Sequence, residues 1–466
     1  MNKRVLIISY YWPPAGGPGV QRWVKFTKYL PDFGIEPIVL IPENPTYPFQ
    51  DDTLTNEISP DLKLFKLPIN EPYKLANIFG KKSKQLSSGI INPSNKQSLI
   101  ERLLLFIRGN FFIPDARIMW VNSAYKKAKT LIENFNIDTV ITTGPPHSIH
   151  LIGRKLKINC NVSWISDFRD PWTAIGYHNK LKLLSFARAR HRKLEAIILN
   201  SSDQIIVTSP ATKREFQSKT NTPISIITNG YDNINDSSII KSNHFLISHI
   251  GSLLTERNPK TLWKVLKSMV RNDTEFAKSL RIELYGIVAE PVKESIKFHE
   301  LDDYVTYKGY VSHEDAIAAQ KASQLLLLIE SNSNSASYII PGKLFEYIAS
   351  KSPIIAIGPS TSDIKKIIAN TCSGNYFSYL EENSLKATLK MYFKNFQETK
   401  TKKARPFRGG SMVNGWCHLG DLQAVTPSAI VNIQADDFIE IARFNPRSFK
   451  TVLPGLGIQP SVLKCL

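Results

Sequence analysis

Several short segments carry residue types able to do chemistry, and each lies at the end of an apolar run. In SYYWPPAGGPGVQRW (9–23), Gly16, Gly17 and Gly19 allow a backbone to approach a ligand closely. The helix expected after them turns unpaired N–H groups toward an anion. The spacing is not GxGxxG, so this is no dinucleotide fingerprint, and a tight turn without a ligand is the alternative. TTGPPHSIHLIG (142–153) places His147 just past another apolar run. A neutral imidazole there can hydrogen-bond a sugar hydroxyl or a phosphate. His150, three residues on, shares about the same helix face, and either histidine can equally be a helix-start residue with its bonds satisfied. WISDFRDPW (164–172) gathers Asp167, Arg169 and Asp170 beside Trp172. Arg169 can hold an anion, but an ion pair with the neighbouring carboxylates is the expectation.

The second half is more informative. HIGSLLTERNPKTL (249–262) ends an apolar run on glycine, then sets Arg257 and Lys260 around Asn258 and Pro259, which are helix-start residues. Cations beside a helix N-terminus oppose its dipole unless an anion is bound, and a diphosphate accounts for both. In SYIIPGKLFEYIASKSPIIA (337–356), Pro341 and Gly342 introduce a helix with Lys343 in its first turn and Glu346 a turn in. The N–H groups of Gly342 and Lys343 can meet phosphate, and a carboxylate such as Glu346 can accept from both hydroxyls of a ribose.

These segments need elements to position them. Apolar runs at 4–12, 37–42, 139–144, 161–168, 204–209 and 225–230 alternate with helical patterns. They are apolar on both faces, as strands in a helix-covered parallel sheet must be. A second series follows at 245–252, 281–287, 305–311, 325–330 and 353–358. Strand–helix–strand order implies parallel pairing. The chain therefore reads as α/β, with two doubly wound, Rossmann-like halves at 1–235 and 244–395 and a boundary in the polar stretch 231–243. In such sheets ligands sit outside the carboxyl ends of the strands, where all these segments fall. Residues 70–127, basic and partly apolar, read as an elaboration of the first half. From 398 to 466 the strand–helix rhythm fades and pattern assigns nothing.

Composition narrows the class. The 466 residues are 42% hydrophobic and 21% charged, a globular balance that excludes wholesale disorder. A net charge of +19 favours anionic partners. Four widely spaced cysteines without CxxC exclude a disulfide framework or zinc site and fit a reducing compartment. Glycines and prolines after residue 12, and charges within 99–113, interrupt the two longest apolar stretches before either reaches the length of a membrane span. Lys3 and Arg4 precede an apolar run, but it is short and lacks a small-residue cleavage site, so a buried first strand is expected rather than a secretion signal.

The glycine loop, the post-strand His147, and then G-S-L-x-x-x-R-N-P-K and P-G-K-L-F-E-Y, in this order, resemble the GT-B glycosyltransferases. Within them the sequence is most similar to the retaining family 4 (glycosyl transferases group 1) enzymes of bacterial surface-polysaccharide and lipopolysaccharide assembly. FFIPDARIMW (111–120) and SDFRDPW (166–172) resemble stretches of a bacterial branch. The resemblance covers roughly residues 1–395. It implies two Rossmann-like domains, an N-terminal acceptor-side one and a C-terminal nucleotide-sugar-binding one, facing across a cleft. It implies that Gly16 and Gly17 face donor phosphate and acceptor, that His147 contacts the donor sugar, and that Arg257 neutralises the leaving diphosphate. Glu346 matches the second carboxylate of the E-x7-E motif, which binds ribose, and Tyr310 with Val311 matches the strand end whose backbone reads the base. Lys260, Gly342 and Lys343 join the substrate-binding set. The place of the first carboxylate is taken by Tyr338, and that of the first arginine of the phosphate pair by Ser252. Arg257 and Lys343 are therefore expected to share that charge.

The activity expected is sugar transfer from a nucleotide-diphosphate-sugar to an acceptor hydroxyl, with retention, without metal or other cofactor. KLKLLSFARARHRKLEAIIL (180–199) mixes basic and apolar residues and can attract anionic headgroups. A lipid-linked saccharide acceptor and a cytoplasmic protein peripheral to the inner face of the plasma membrane are expected, with an ordinary solvated helix as the alternative. The rival activities are a nucleotide-sugar epimerase of the same architecture and a basic nucleic-acid binder. The second is disfavoured by dispersed charge and the lack of a recognition motif. A dehydrogenase is disfavoured by the missing GxGxxG.

Overall fold

The computed structural model describes residues 3–47, 50–71, 99–174, 181–231, 241–333 and 338–404. The chain divides into two units. Among the described residues, one runs to Ile227 except for Thr208–Thr212; the other takes that short segment and the described residues from Thr228 onward. The division falls just ahead of the polar stretch 231–243, most of which lies outside the described residues.

In chain order the first series is β1 (Lys3–Ser9), α1 (Pro18–Tyr29), β2 (Ile35–Pro42), β3 (Lys63–Leu67), α2 (Leu99–Phe111), α3 (Val121–Phe135), β4 (Thr139–Gly144), α4 (Ser148–Cys160), β5 (Ser163–Phe168), α5 (Ser185–Ser201), β6 (Gln204–Val207), α6 (Pro210–Gln217) and β7 (Ile224–Ile226). The strands form one parallel sheet in the order β3-β2-β1-β4-β5-β6-β7. Both faces are covered, which is why the strands read as unbroken apolar runs. Leu6 and Ile8 enter one core with Val140, Ile149 and Trp164; Val5 and Ile7 enter the opposite core with Val20, Trp23 and Val39. Of the basic elaboration at 70–127, residues 72–98 lie outside the described ones. The remainder includes α2 and the start of α3. Leu105 of α2 joins Ile113, Leu181, Leu183 and Ala187 in a small separate cluster.

The second series is β8 (Phe245–Ile250), α7 (Lys260–Asn272), α8 (Thr274–Ser279), β9 (Leu280–Tyr285), α9 (Glu290–Phe298), β10 (Val305–Gly309), α10 (His313–Ala322), β11 (Leu325–Ile329), α11 (Lys343–Ala349), β12 (Ile354–Gly358), α12 (Asp363–Asn370), β13 (Gly374–Ser378) and α13 (Glu382–Ala404). Its sheet is also parallel, in the order β10-β9-β8-β11-β12-β13. Three strands escape the apolar pattern, and all are edges; VTYKG (β10) is exposed over most of its length. KLFKL (β3) exposes its lysines, and GNYFS (β13) buries only Phe377. An edge strand needs no continuous apolar run. The rhythm that fades at 398 hides the end of α13, which runs to Ala404. Leu385, Leu389, Tyr392 and Phe393 of that helix pack into the second core at helical spacing. Residues 405–466 lie outside the described ones.

In each sheet the chain winds outward from a central strand, then returns to that strand's other side. The reversals fall between β1 and β4 and between β8 and β11. At such a reversal the following loops diverge and leave a crevice at the carboxyl ends. Gly16, Gly17 and His147 follow β1 and β4; Arg257 follows β8, and the segment leading to Lys343 follows β11.

Candidate functional site

In the first unit, Gly17 is the N-cap of α1 with φ +110°, and Gly16 lies against Asp51, whose N–H donates to the Pro14 carbonyl at 2.7 Å. Gly19 leaves room for a side chain. A Cβ there would lie 1.6 Å from a guanidinium nitrogen of Arg169. Arg169 donates to the Gly144 carbonyl at 3.3 Å and to that of Pro145, so it braces the loop after β4 against the start of α1. Asp167 does not pair with Arg169, as its position in the sequence implied. Its carboxylate accepts from Arg22 at 3.0 Å, the Trp23 indole at 3.0 Å and the Thr143 hydroxyl at 2.7 Å. Arg22 and Asp167 side chains are fully buried, and they tie α1 to the ends of β4 and β5.

His147 caps α4, is only 3% exposed and stacks on Trp172 at 4.8 Å with the rings 5° apart. The Trp172 indole donates to His191 Nδ1 at 3.1 Å. His150 is a core residue. Its Nδ1 lies 2.9 Å from the Thr142 hydroxyl, and burial pushes its pKa down to about 3. Asp115, from the FFIPDARIMW stretch, supplies a carboxylate to the start of α4. It accepts from Ser148 N at 2.9 Å and Ser148 Oγ at 2.8 Å. Arg117 in the same stretch lies 3.2 Å from the Glu71 carboxylate, which also accepts from the Tyr10 hydroxyl at 2.6 Å.

In the second unit, three adjacent strand ends present bare backbone. Gly251 follows β8 with φ +120°, Gly286 follows β9 with φ +88° and Gly309 ends β10 with φ +67°. The middle one explains the glycines. A Cβ on Gly286 would lie 3.0 Å from the Gly251 carbonyl carbon, and its own N–H donates to the Gly309 carbonyl. Only glycine combines that backbone angle with that approach.

Beside this shelf stand two cations. Lys343 opens α11, and its ammonium donates to the Ile250 carbonyl at 3.2 Å and lies 3.4 Å from His249 Nε2. A Cβ on Gly251 would be 3.0 Å from its Nζ. Burial, and then the charge of Arg257, push the Lys343 pKa down to about 7, with Glu346 opposing. Arg257 ends a 3₁₀ turn, Thr255–Arg257, which is tied to the chain beyond β11 by Asn332 N–H donating to the Glu256 carbonyl at 3.1 Å. Among the described residues neither Arg257 nor Lys343 forms an ion pair. Two cations that repel one another and form no ion pair with a carboxylate favour a bound anion.

A third group in this crevice escaped the sequence reading. Glu330, just past β11, is 5% exposed and accepts from Tyr376 at 2.8 Å and Ser362 at 2.9 Å. Burial raises its pKa to about 7, and the two hydroxyls and Arg257 hold it from rising further. The sequence signal was available: an acid closing the run LLLLIE at the ligand-binding edge. His249 was likewise passed over, although it stands two residues before the strand-end glycine.

The other sequence candidates are placed as follows. Glu346 is partly buried and accepts from the Gln320 amide at 3.0 Å. Gly342 caps α11, a helix of seven residues whose Leu344 and Phe345 N–H groups donate to the carbonyls of Pro341 and Gly342. Lys260 is exposed at the first position of α7. Tyr310 is 78% exposed after β10, and Val311 packs against the core that holds Tyr285 and Leu344. Charge coupling thus joins Arg257, Lys343 and Glu330, whereas Lys260 and Tyr310 lie on the surface. Among the described residues no group of three His, Cys, Asp or Glu side chains is arranged to hold a metal ion.

Solved structures share this fold over nearly the whole chain. A glycosyltransferase from Rickettsia africae matches with a TM-score of 0.54 at 14% identity, over 95% of this chain and 98% of its own. WaaG, a glycosyltransferase involved in lipopolysaccharide biosynthesis, matches with a TM-score of 0.53 at 12% identity, over 95% and 100%. Anabaena HepE, solved in complex with UDP, matches with a TM-score of 0.52 at 13% identity, over 94% and 95%. The chain has the GT-B fold. Likeness at these identities concerns the fold alone. The family model described as Glycosyltransferase Family 4 matches residues 90–233 of this GT-B chain, a minority of its length. That match spans α2, β4, His147 and α5. No curated protein sequence matches the chain.

Proposed function

We propose that this GT-B protein is a glycosyltransferase that moves a sugar from a nucleotide-diphosphate-sugar to an acceptor hydroxyl. The observation that carries the reading is the cation pair Arg257 and Lys343, without a carboxylate partner among the described residues, at the reversal point of the second sheet. A departing diphosphate is the group such a pair would stabilise. Positive groups already in place act most strongly on charge that develops as the sugar–phosphate bond breaks. The family-model match and the UDP held by HepE support the same reading.

In this proposal Arg257 and Lys343 take the diphosphate, with Gly342 and Lys260 at its margin. Glu346 binds the ribose, and the backbone of Tyr310 and Val311 lies against the base. Gly16 and Gly17 are assigned to donor phosphate and acceptor, and His147, which is 3% exposed, to the donor sugar. Transfer proceeds with retention, the leaving phosphate oxygen taking the acceptor's proton, and the two cations do the work a metal does elsewhere. The acceptor is proposed to be a lipid-linked saccharide or polysaccharide precursor. Leu184 and Phe186 are exposed around the start of α5, with exposed Lys182, Arg188, Arg190, Arg192 and Lys193 beside them. Apolar side chains set among cations suit an anionic lipid surface. No helix among the described residues is long and apolar enough to cross a membrane. The proposed location is peripheral, on the cytoplasmic face of the plasma membrane, on the strength of that basic and apolar surface.

The test is turnover. Nucleotide-sugars are screened with lipid-linked and free saccharide acceptors, and products are separated by mass. Wild-type protein is expected to yield a glycosylated acceptor. Arg257→Ala is expected to lower kcat about a hundredfold or more, the usual cost of removing one preorganised charge-stabilising donor, while melting normally. An isomerised donor formed without any acceptor, or an Arg257→Ala protein as active as wild type, would overturn the proposal.

A further inference from the structure

His249 has no role in the reading above, yet it is a 1% exposed imidazole one residue from the end of β8. Its Nδ1 lies 2.9 Å from the Leu327 carbonyl of the neighbouring strand β11. A carbonyl only accepts, so Nδ1 carries a proton and donates it. Burial and the charges of Lys343 and Arg257 hold the ring well below its ordinary pKa, so it is neutral. In a neutral ring with the proton on Nδ1, Nε2 is an acceptor. That atom lies 3.4 Å from the ammonium of Lys343, whose other acceptor is the Ile250 carbonyl. Ile250 is itself fixed, since its N–H donates to the Tyr347 hydroxyl at 2.8 Å. A lysine on four flexible bonds is thereby held at one point beside Gly251.

We propose that His249 is a positioning residue. Its Nε2 lone pair, together with the Ile250 carbonyl, fixes the Lys343 ammonium against the backbone of Gly251, where it meets an anionic group of the bound nucleotide. The proposal deepens the glycosyltransferase reading and rests on it. The sheet supplies the reason for the residue type. An imidazole bridges from a carbonyl on the adjacent strand to a side chain arriving from the loop beyond that strand. Asparagine carries a donor equivalent to Nδ1–H but ends short of Nε2; glutamine carries an amide oxygen out to the Nε2 position. The charged or titratable groups around the ammonium are Arg257, Glu346 and His249 itself. Arg257 and Glu346 are left in place in every variant.

The experiment is a double-mutant cycle read by calorimetric binding of UDP, GDP and ADP to the full chain. The variants are His249→Asn, Lys343→Met and the double substitution, and thermal melting checks each fold. His249→Asn is expected to weaken binding of the best of these nucleotides about tenfold, the scale of one hydrogen bond to a charged group. The double variant is expected to bind no more weakly than Lys343→Met alone, because His249 acts only through the lysine. His249→Gln is expected to restore most of the lost affinity. A purely structural histidine gives additive losses in the cycle and no rescue by glutamine, and either result overturns the proposal. If His249→Asn fails to fold, the comparison of His249→Gln with wild type in the presence and absence of Lys343→Met decides in the same way. Failure of the wild type to bind any of the three nucleotides would remove the glycosyltransferase reading and this inference with it. Nucleotide binding that is indifferent to Lys343→Met would remove this inference alone.

Discussion

Nucleotide binding should weaken with rising pH, and Lys343 sets the slope. Burial and Arg257 bring its pKa down to about 7 in the free site. A bound diphosphate favours the ammonium, so the complex keeps its proton to higher pH than the free protein does. The sign follows from linkage: binding is strongest below about pH 7 and is lost above it, because each molecule bound must also recruit a proton. If the complex stays protonated through pH 8.5, affinity falls by a factor of about 16 between pH 7 and 8.5, and close to one proton is taken up per nucleotide at the upper end. Glu330, also brought to about 7, adds repulsion in the same direction as it ionises. The measurement is calorimetric titration with a nucleoside diphosphate from pH 7 to 8.5, where the terminal phosphate is already mostly ionised. Buffers of different ionisation enthalpy count the protons, and Lys343→Met and Glu330→Gln separate the two groups. A dissociation constant that stays flat in wild-type protein, or an equal slope in Lys343→Met, refutes the reasoning.

Asp167→Ala removes an ion-pair partner of the fully buried Arg22 and an acceptor used by the Trp23 indole and the Thr143 hydroxyl. It should destabilise the first unit by about 3–5 kcal/mol in chemical denaturation, and a loss below about 1 kcal/mol would contradict the buried pairing. The protein should sediment with vesicles rich in anionic lipid at low salt and release at high salt. Leu184→Ser with Phe186→Ser should reduce the bound fraction several-fold, and indifference to vesicle charge would remove the membrane proposal.

The sequence alone determined that the chain is built from two parallel, helix-covered sheets, because a strand buried on both faces must be apolar throughout and its helices must be amphipathic. It also set its candidate residues at strand ends, since glycine, proline and polar residues cluster where apolar runs stop, and Gly16, Gly17, His147, Arg257 and Lys343 do follow strands of the two sheets. The two strands it missed share one cause. Edge strands β3 and β13 carry no full apolar run, because one of their sides is never covered by another strand.

Which strand lies beside which was decided only in three dimensions. Periodicity records how deeply a residue is buried, not its lateral neighbour. Asp167 therefore looked like the partner of Arg169, two residues away, yet the fold gives it Arg22, 145 residues distant. Glu330 looked like the end of a run and His249 like part of one. Placing β11 against β8 brings both to the crevice that holds Arg257 and Lys343, and burial there moves their proton affinities. Charge and pKa depend on distance through space, and that distance is set by strand order rather than by spacing along the chain.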